Sequence, residues 1–166
     1  MMRVRCTAMT KAHWDAVRAI YAEGIETGHA TFEPDVPEWA EWTRRFLADT
    51  RRVALRGETV VGWSALSAAS QRPVYSGVAE VSVYVAADAR GQGVGRLLLE
   101  DLIGHSEALG FWTLQAGIFP ENEASVRLHR GCGFREVGLR ERLGKMRGPW
   151  RDVLLMERRS SLVGRD

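Results

Sequence analysis

Residues 90–95 read Arg90-Gly91-Gln92-Gly93-Val94-Gly95, with glycine at every second position. They lie between the apolar run VAEVSVYV (78–85) and a stretch where Val94, Leu97, Leu98, Leu102 and Leu109 recur at helical spacing. Glycine weakens a helix start unless the backbone needs an unusual angle or a close approach. A strand, a glycine turn and a helix N-terminus together suit an anion, because first-turn amides lack partners within the helix and the dipole favours negative charge. Two phosphate motifs fail on residue identity. A P-loop closes on Gly-Lys-Ser/Thr, and this turn has no lysine. A dinucleotide fingerprint needs glycine where the chain has Arg96, and it follows a first strand rather than a fourth. A plain strand–helix turn also uses such glycines, so residues elsewhere must decide.

The elements that would position this turn follow from periodicity and punctuation. RVRCTA (3–8) alternates as a strand; Thr10 caps a helix over 11–26; a loop marked by Gly28, Pro34 and Pro37 leads to a helix over 38–48. Strands near 52–56 and 59–68 form a hairpin around Gly57-Glu58, and 78–85 is a strand. The helix after the glycines stops at Gly110. WTLQAGI is a strand, Asn122 caps a short helix to Cys132, and two final strands end the domain. The pattern predicts a single α/β domain over 1–158, followed by a frayed tail over 159–166.

Composition excludes several classes. The 166 residues carry 23 basic and 21 acidic side chains, a net +2, which is not the footprint of a nucleic-acid binder. No apolar run is long enough to span a membrane, and MMRVRCTAMT has no apolar signal core, so a cytoplasmic protein without membrane partners is expected. Cys6 and Cys132 are expected as reduced thiols. With four scattered histidines they offer no metal set, so no metal is expected.

The Arg-x-x-Gly-x-Gly run after VSVYV resembles the acetyl-CoA signature of the GNAT superfamily of N-acetyltransferases. NEASVRLHRGCGF resembles that family's second signature: Asn122 at a helix start, an acid-type residue seven positions on (His129), and a Gly133-Phe134 exit. Asn122 and His129 are about two helical turns apart and so can face one cleft. His129, Glu80 in VAEVSVYV, Arg72-Pro-Val-Tyr75, the late GPWRDV and ETGHATFEPDVP with Phe32 are similar to the phosphinothricin and methionine sulfoximine N-acetyltransferase subgroup. Two places depart from it: Met146 and Arg147 stand where lysine is usual, and the 72–75 loop lacks a second basic residue.

The resemblance implies a mixed, mostly antiparallel sheet of about seven strands with about four helices. It implies that acetyl-CoA is the co-substrate, its pyrophosphate on the amides of Gly91, Gln92, Gly93, Val94, Gly95 and Arg96 beside Arg90. Val83, Tyr84 and Val85 would lie along the acetyl-pantetheine arm, with Asn122 also at the coenzyme. Acetyl transfer to an α-amine needs a base, because free amino acids are largely protonated at neutral pH. Glu80, in an apolar strand that raises its pKa, is the candidate, directly or through water, although alternation also allows it a plain place on the strand's polar face. His129 protonates the coenzyme thiolate or helps deprotonate the amine.

Arg72 and Tyr75 would recognise the acid group of a small amino acid-like substrate, and Phe32 would wall its methyl end. Trp150 and Asp152 would serve packing or a subunit contact, and relatives imply a homodimer. Alternatives are acetylation of a peptide N-terminus, a polyamine or an aminoglycoside, or a non-catalytic acyl-CoA sensor, which would not need Glu80 or His129.

Overall fold

The computed structural model describes residues 2–166. The chain begins with β1 (Val4–Ala8), a 3-10 turn at Lys11–His13 and α1 (Trp14–Glu26). A loop leads to α2 (Trp39–Arg45), followed by an antiparallel meander of β2 (Arg52–Arg56), β3 (Thr59–Ala68) and β4 (Val78–Val85). Then come α3 (Val94–Ala108), β5 (Thr113–Ile118), α4 (Glu123–Gly131) and the hairpin of β6 (Arg135–Lys145) with β7 (Trp150–Arg159). The seven strands form one sheet in the order β1-β2-β3-β4-β5-β7-β6, and only β4 and β5 are parallel. Four helices and a mostly antiparallel sheet match the expected fold class.

Three local expectations shift. The first helix starts at Trp14, because Lys11–His13 winds as a 3-10 turn with the Thr10 amide donating to His13 Nδ1 at 3.0 Å. The second helix ends at Arg45, where Phe46 turns extended and enters the core. The tail does not fray. Ser160 is buried, its amide donates to the Trp112 carbonyl at 2.8 Å, and Arg159 donates to the carbonyls of Val163 and Gly164. Those bonds satisfy the backbone of a segment whose sequence alone gives no periodic signal.

Two packed layers fix the sheet. On one face, Trp63 and Tyr84 are cross-strand partners with rings stacked 4.9 Å apart, and Tyr21 of α1 and Trp42 of α2 pack against Trp63. Aromatic side chains of this size carry much of the apolar burial in a small domain. On the other face, Gly62 makes room for α3: a Cβ there would stand 2.8 Å from Leu98 Cδ1. Leu98, Leu99 and Leu102 are fully buried against the sheet. This packing holds the N-terminus of α3 at the end of β4.

The parallel pair is short. Val78, Ala79 and Glu80 register with Thr113, Leu114 and Gln115, and the pairing stops there. Residues 81–85 keep their β3 partners but have none on the β5 side. The sheet therefore splits into a V, and the split exposes unpaired backbone donors and acceptors in the middle of the molecule.

Candidate active site

A cleft of ≈ 410 Å³ occupies the split. β4 supplies one wall, from Glu80 to Tyr84, and β5 the other, from Gln115 to Ile118. α4 contributes Ser125 and His129, and the loop after α1 contributes Phe32.

The three glycines do different work. Gly91 and Gly93 have φ of 75° and 83°, and a Cβ on either would meet nothing within 4 Å. They are glycine for backbone conformation, with open space in front of them. Gly93 caps α3, and the first helical bond there runs from the Leu97 amide to the Gly93 carbonyl, so the amides of Val94, Gly95 and Arg96 have no such partner. Gly95 is a packing residue: its Cβ would lie 3.3 Å from Leu128 Cδ2 and 3.6 Å from Val85 Cγ2, so α3 and α4 close tightly here.

The side chains of this turn are mostly committed elsewhere. Gln92 Oε1 accepts from Arg56 at 2.6 Å, and Arg96 pairs with Glu100 at 2.8 Å. Arg90 is exposed. A concave turn of free amides and open space suits a pyrophosphate, and the unpaired edge of residues 81–85 suits an amide-bearing arm. The residues present thus fit acetyl-CoA through backbone rather than side chains. Tyr84 packs its ring on Trp63 and Tyr21.

Glu80 is the last paired residue before the split, and its carboxylate enters the cleft beside Gly117, where a Cβ would stand 3.7 Å from Oε1. Burial pushes its pKa up. His129 is 5% exposed and stands edge-on to Phe134. Its Nδ1 lies 2.7 Å from the Ser125 carbonyl oxygen. A carbonyl only accepts, so Nδ1 carries the proton and the neutral ring presents a lone pair at Nε2. Burial outweighs the Ser125 bond and pushes the His129 pKa down. Asn122 caps α4, its Oδ1 accepting from the Ser125 amide at 3.2 Å, while its Nδ2 donates to the His29 carbonyl at 3.2 Å. It therefore braces both the histidine helix and the loop that carries Phe32.

Phe32 lies edge-on to Phe119 with centroids 4.8 Å apart, and a Cβ at Gly144 would come 3.0 Å from its ring. Arg72 and Tyr75 are not brought into the cleft. Both are exposed on the 3-10 turn before β4, with the Arg72 guanidinium 5.5 Å from the Tyr75 ring centroid. Trp150 is exposed with Lys145 over its ring, and Asp152 accepts from the Arg142 amide at 2.8 Å.

Two arginines went unremarked in the sequence. Arg140 lines the cleft. Arg151 lies over Phe119 at 4.1 Å and donates to the Gly28 carbonyl at 2.9 Å and to Glu121 at 3.2 Å. It also meets His29 Nδ1 at 3.2 Å. It thereby clamps the loop after α1 to the turn before α4. In a chain of 21 arginines and two lysines, only tertiary position distinguishes these two from the rest.

A split sheet, a left-handed glycine cap and an acid beside the split define an acyl-coenzyme A-dependent transferase. The model of the acetyltransferase (GNAT) family matches residues 14–134, and the chain belongs to that family. It is an N-acetyltransferase that uses acetyl-CoA. The chain is 36% identical to the phosphinothricin N-acetyltransferase of Alcaligenes faecalis over 166 residues, 95% of this chain and 84% of that protein. A Sinorhizobium meliloti phosphinothricin acetyltransferase in complex with acetyl-CoA superposes with a TM-score of 0.89 at 33% identity, covering 99% of this chain and 92% of that one. A ribosomal-protein-alanine N-acetyltransferase from Brucella melitensis superposes with a TM-score of 0.85 at 32% identity, covering 94% and 99%. Among the described residues no helix is long and apolar enough to cross a membrane, and no cluster could hold a metal ion.

Proposed function

We propose that the protein acetylates the α-amine of phosphinothricin, methionine sulfoximine or a closely related small amino acid analogue. The observation that carries this reading is the placement of Glu80, its pKa raised by burial, at the point where β4 and β5 part. The likeness to the Alcaligenes faecalis enzyme along almost the whole chain supports it. Acetyl-CoA supplies the electrophilic thioester carbon.

The chain's residues provide position and proton transfer. Amides of residues 91–96 hold the pyrophosphate, and the free edge of residues 83–85 orients the arm. Glu80 takes the first proton from the ammonium, directly or through water, and passes it to solvent. The free amine then attacks the thioester carbonyl. The second nitrogen proton leaves as the carbon–sulfur bond breaks, moves to His129 Nε2 and ends on the departing sulfur. One proton is released and one is retained on the thiol. The tautomer set by Ser125 suits this relay, because Nε2 must be empty before it can deliver anything.

A homodimer fits the exposed outer edge of β6, an eleven-residue strand with Val137 and Leu139 in solvent. Equilibrium sedimentation tests it. The need for acetyl-CoA and the two free thiols support a cytoplasmic site of action.

The experiment that tests the activity is free-thiol release from acetyl-CoA with phosphinothricin and methionine sulfoximine, beside lysine, spermidine and a short alanyl peptide. Turnover on the first two supports the reading. Turnover on the peptide alone moves the function toward the Brucella melitensis enzyme's named substrate. Tight acetyl-CoA binding without turnover of any amine makes the protein a sensor.

A further inference from the structure

Arg140 is the only lysine or arginine among the residues lining the cleft. No hydrogen bond or ion pair engages it among the described residues, while the two lining acids differ: Glu33 pairs with Arg45 at 3.3 Å, and Glu80 is free. The amine end of the cleft thus offers one uncommitted carboxyl group and one uncommitted guanidinium. That is the complement of a molecule carrying an ammonium and an acid group together.

The register shows how Arg140 reaches this wall. Val153 and Leu155 of β7 line the cleft, and directly opposed residues of paired strands share a face. Glu136 pairs with Met156, but Gly138, not Val137, pairs with Leu155. Val137 is the extra residue of a bulge. Beyond it, Arg140 stands opposite Val153 and so faces the cleft. Were Val137 part of the ladder, Leu139 would take that place and Arg140 would stand opposite Asp152 on the other face. A Cβ at Gly138, opposite Leu155, would meet nothing within 4 Å.

We propose that Arg140 holds the acid group of the amine substrate, a carboxylate or phosphinate, and so selects amino acid-like amines over polyamines. The inference rests on the proposed function and adds the group that recognises the substrate. Arg72 and Arg140 are both exposed, but only Arg140 lines the cleft. A guanidinium suits a planar or tetrahedral oxyanion because two N–H groups can donate in parallel.

The test measures KM and kcat for methionine sulfoximine, its carboxamide, phosphinothricin, spermidine and a short alanyl peptide. The proteins are wild type, Arg140→Met, Arg140→Lys and Arg72→Met, and acetyl-CoA affinity is measured in parallel as the folding control. Arg140→Met is expected to raise KM for the two acids by roughly 10- to 100-fold, with the carboxamide and acetyl-CoA changed by less than about twofold. Arg140→Lys keeps the charge without the paired donors and should recover part of the loss. Equal losses on acid and carboxamide, or a loss confined to Arg72→Met, overturn the assignment. So does wild-type turnover of both acids that Arg140→Met leaves untouched, although the substrate reading then survives. Wild-type turnover of spermidine or the peptide and of neither acid overturns the substrate reading and this grip with it.

Discussion

The two ends of the cleft are built from different materials. At the end proposed for the coenzyme the free groups are backbone: the amides after Gly93 and the edge of residues 81–85 left unpaired where β4 and β5 separate. At the end proposed for the amine they are side chains from distant segments: Phe32, Glu80, His129 and Arg140 line the cleft, with Arg151 clamping the loop that carries Phe32. Backbone recognition serves a co-substrate that does not change, whereas a side-chain pocket can be altered one residue at a time without disturbing the fold. The comparison predicts that damage at one end should leave binding at the other nearly intact.

The sharpest break is Glu80→Gln. It should lower kcat by about 10²- to 10⁴-fold at pH 7, the usual range for losing a general base, while acetyl-CoA affinity stays unchanged. Stopped-flow turnover with calorimetric titration of acetyl-CoA reads both. A parallel collapse of coenzyme binding would show that the two ends are one site. Gly93→Ala tests the opposite end. At φ 83° a side chain costs roughly 1–2 kcal/mol, so acetyl-CoA affinity should fall about tenfold while KM for the amine barely moves.

Arg151→Met should act at the amine end alone. Freeing the Gly28 carbonyl and the Phe119 face loosens Phe32, so KM for the amine should rise roughly 3- to 10-fold with kcat little changed. Limited proteolysis should cut the 27–34 loop faster, and unaltered cutting would mean that Asn122 suffices to hold it.

The smallest effects are on stability, and their signs follow from burial. The folded protein raises the Glu80 pKa above 4.5, so it disfavours the charged form. That cost is fully present at pH values above the raised pKa and is relieved as pH falls through it. Glu80→Gln should therefore melt about 1–3 °C higher at pH 8, the gap closing in acid, so that the slower variant is the more stable one. His129 has its folded pKa below 6.5, so the folded state prefers the neutral ring. The stability that preference gives should decline as pH falls below 6.5 toward the folded pKa. Scanning calorimetry across pH 5–8 compares wild type with each variant.

The sequence by itself determined the order of elements, the glycine cap, and the place of Asn122 at the start of a helix that carries His129. These are local facts: periodicity, positive φ at glycine, and a cap two turns from a histidine. Only the tertiary structure decided which glycines face open space and which packs, since the role of Gly95 depends on Leu128, 33 positions along the chain. It also brought Arg140 rather than Arg72 to the cleft lining, because a bulge at Val137 sets Arg140 opposite Val153. It tied down a tail that composition left free, through bonds from Arg159 and Ser160 to the Trp112 carbonyl, which no short window contains. Local geometry is written in neighbouring residues; which side chains share a cleft depends on register and packing between segments far apart in the chain.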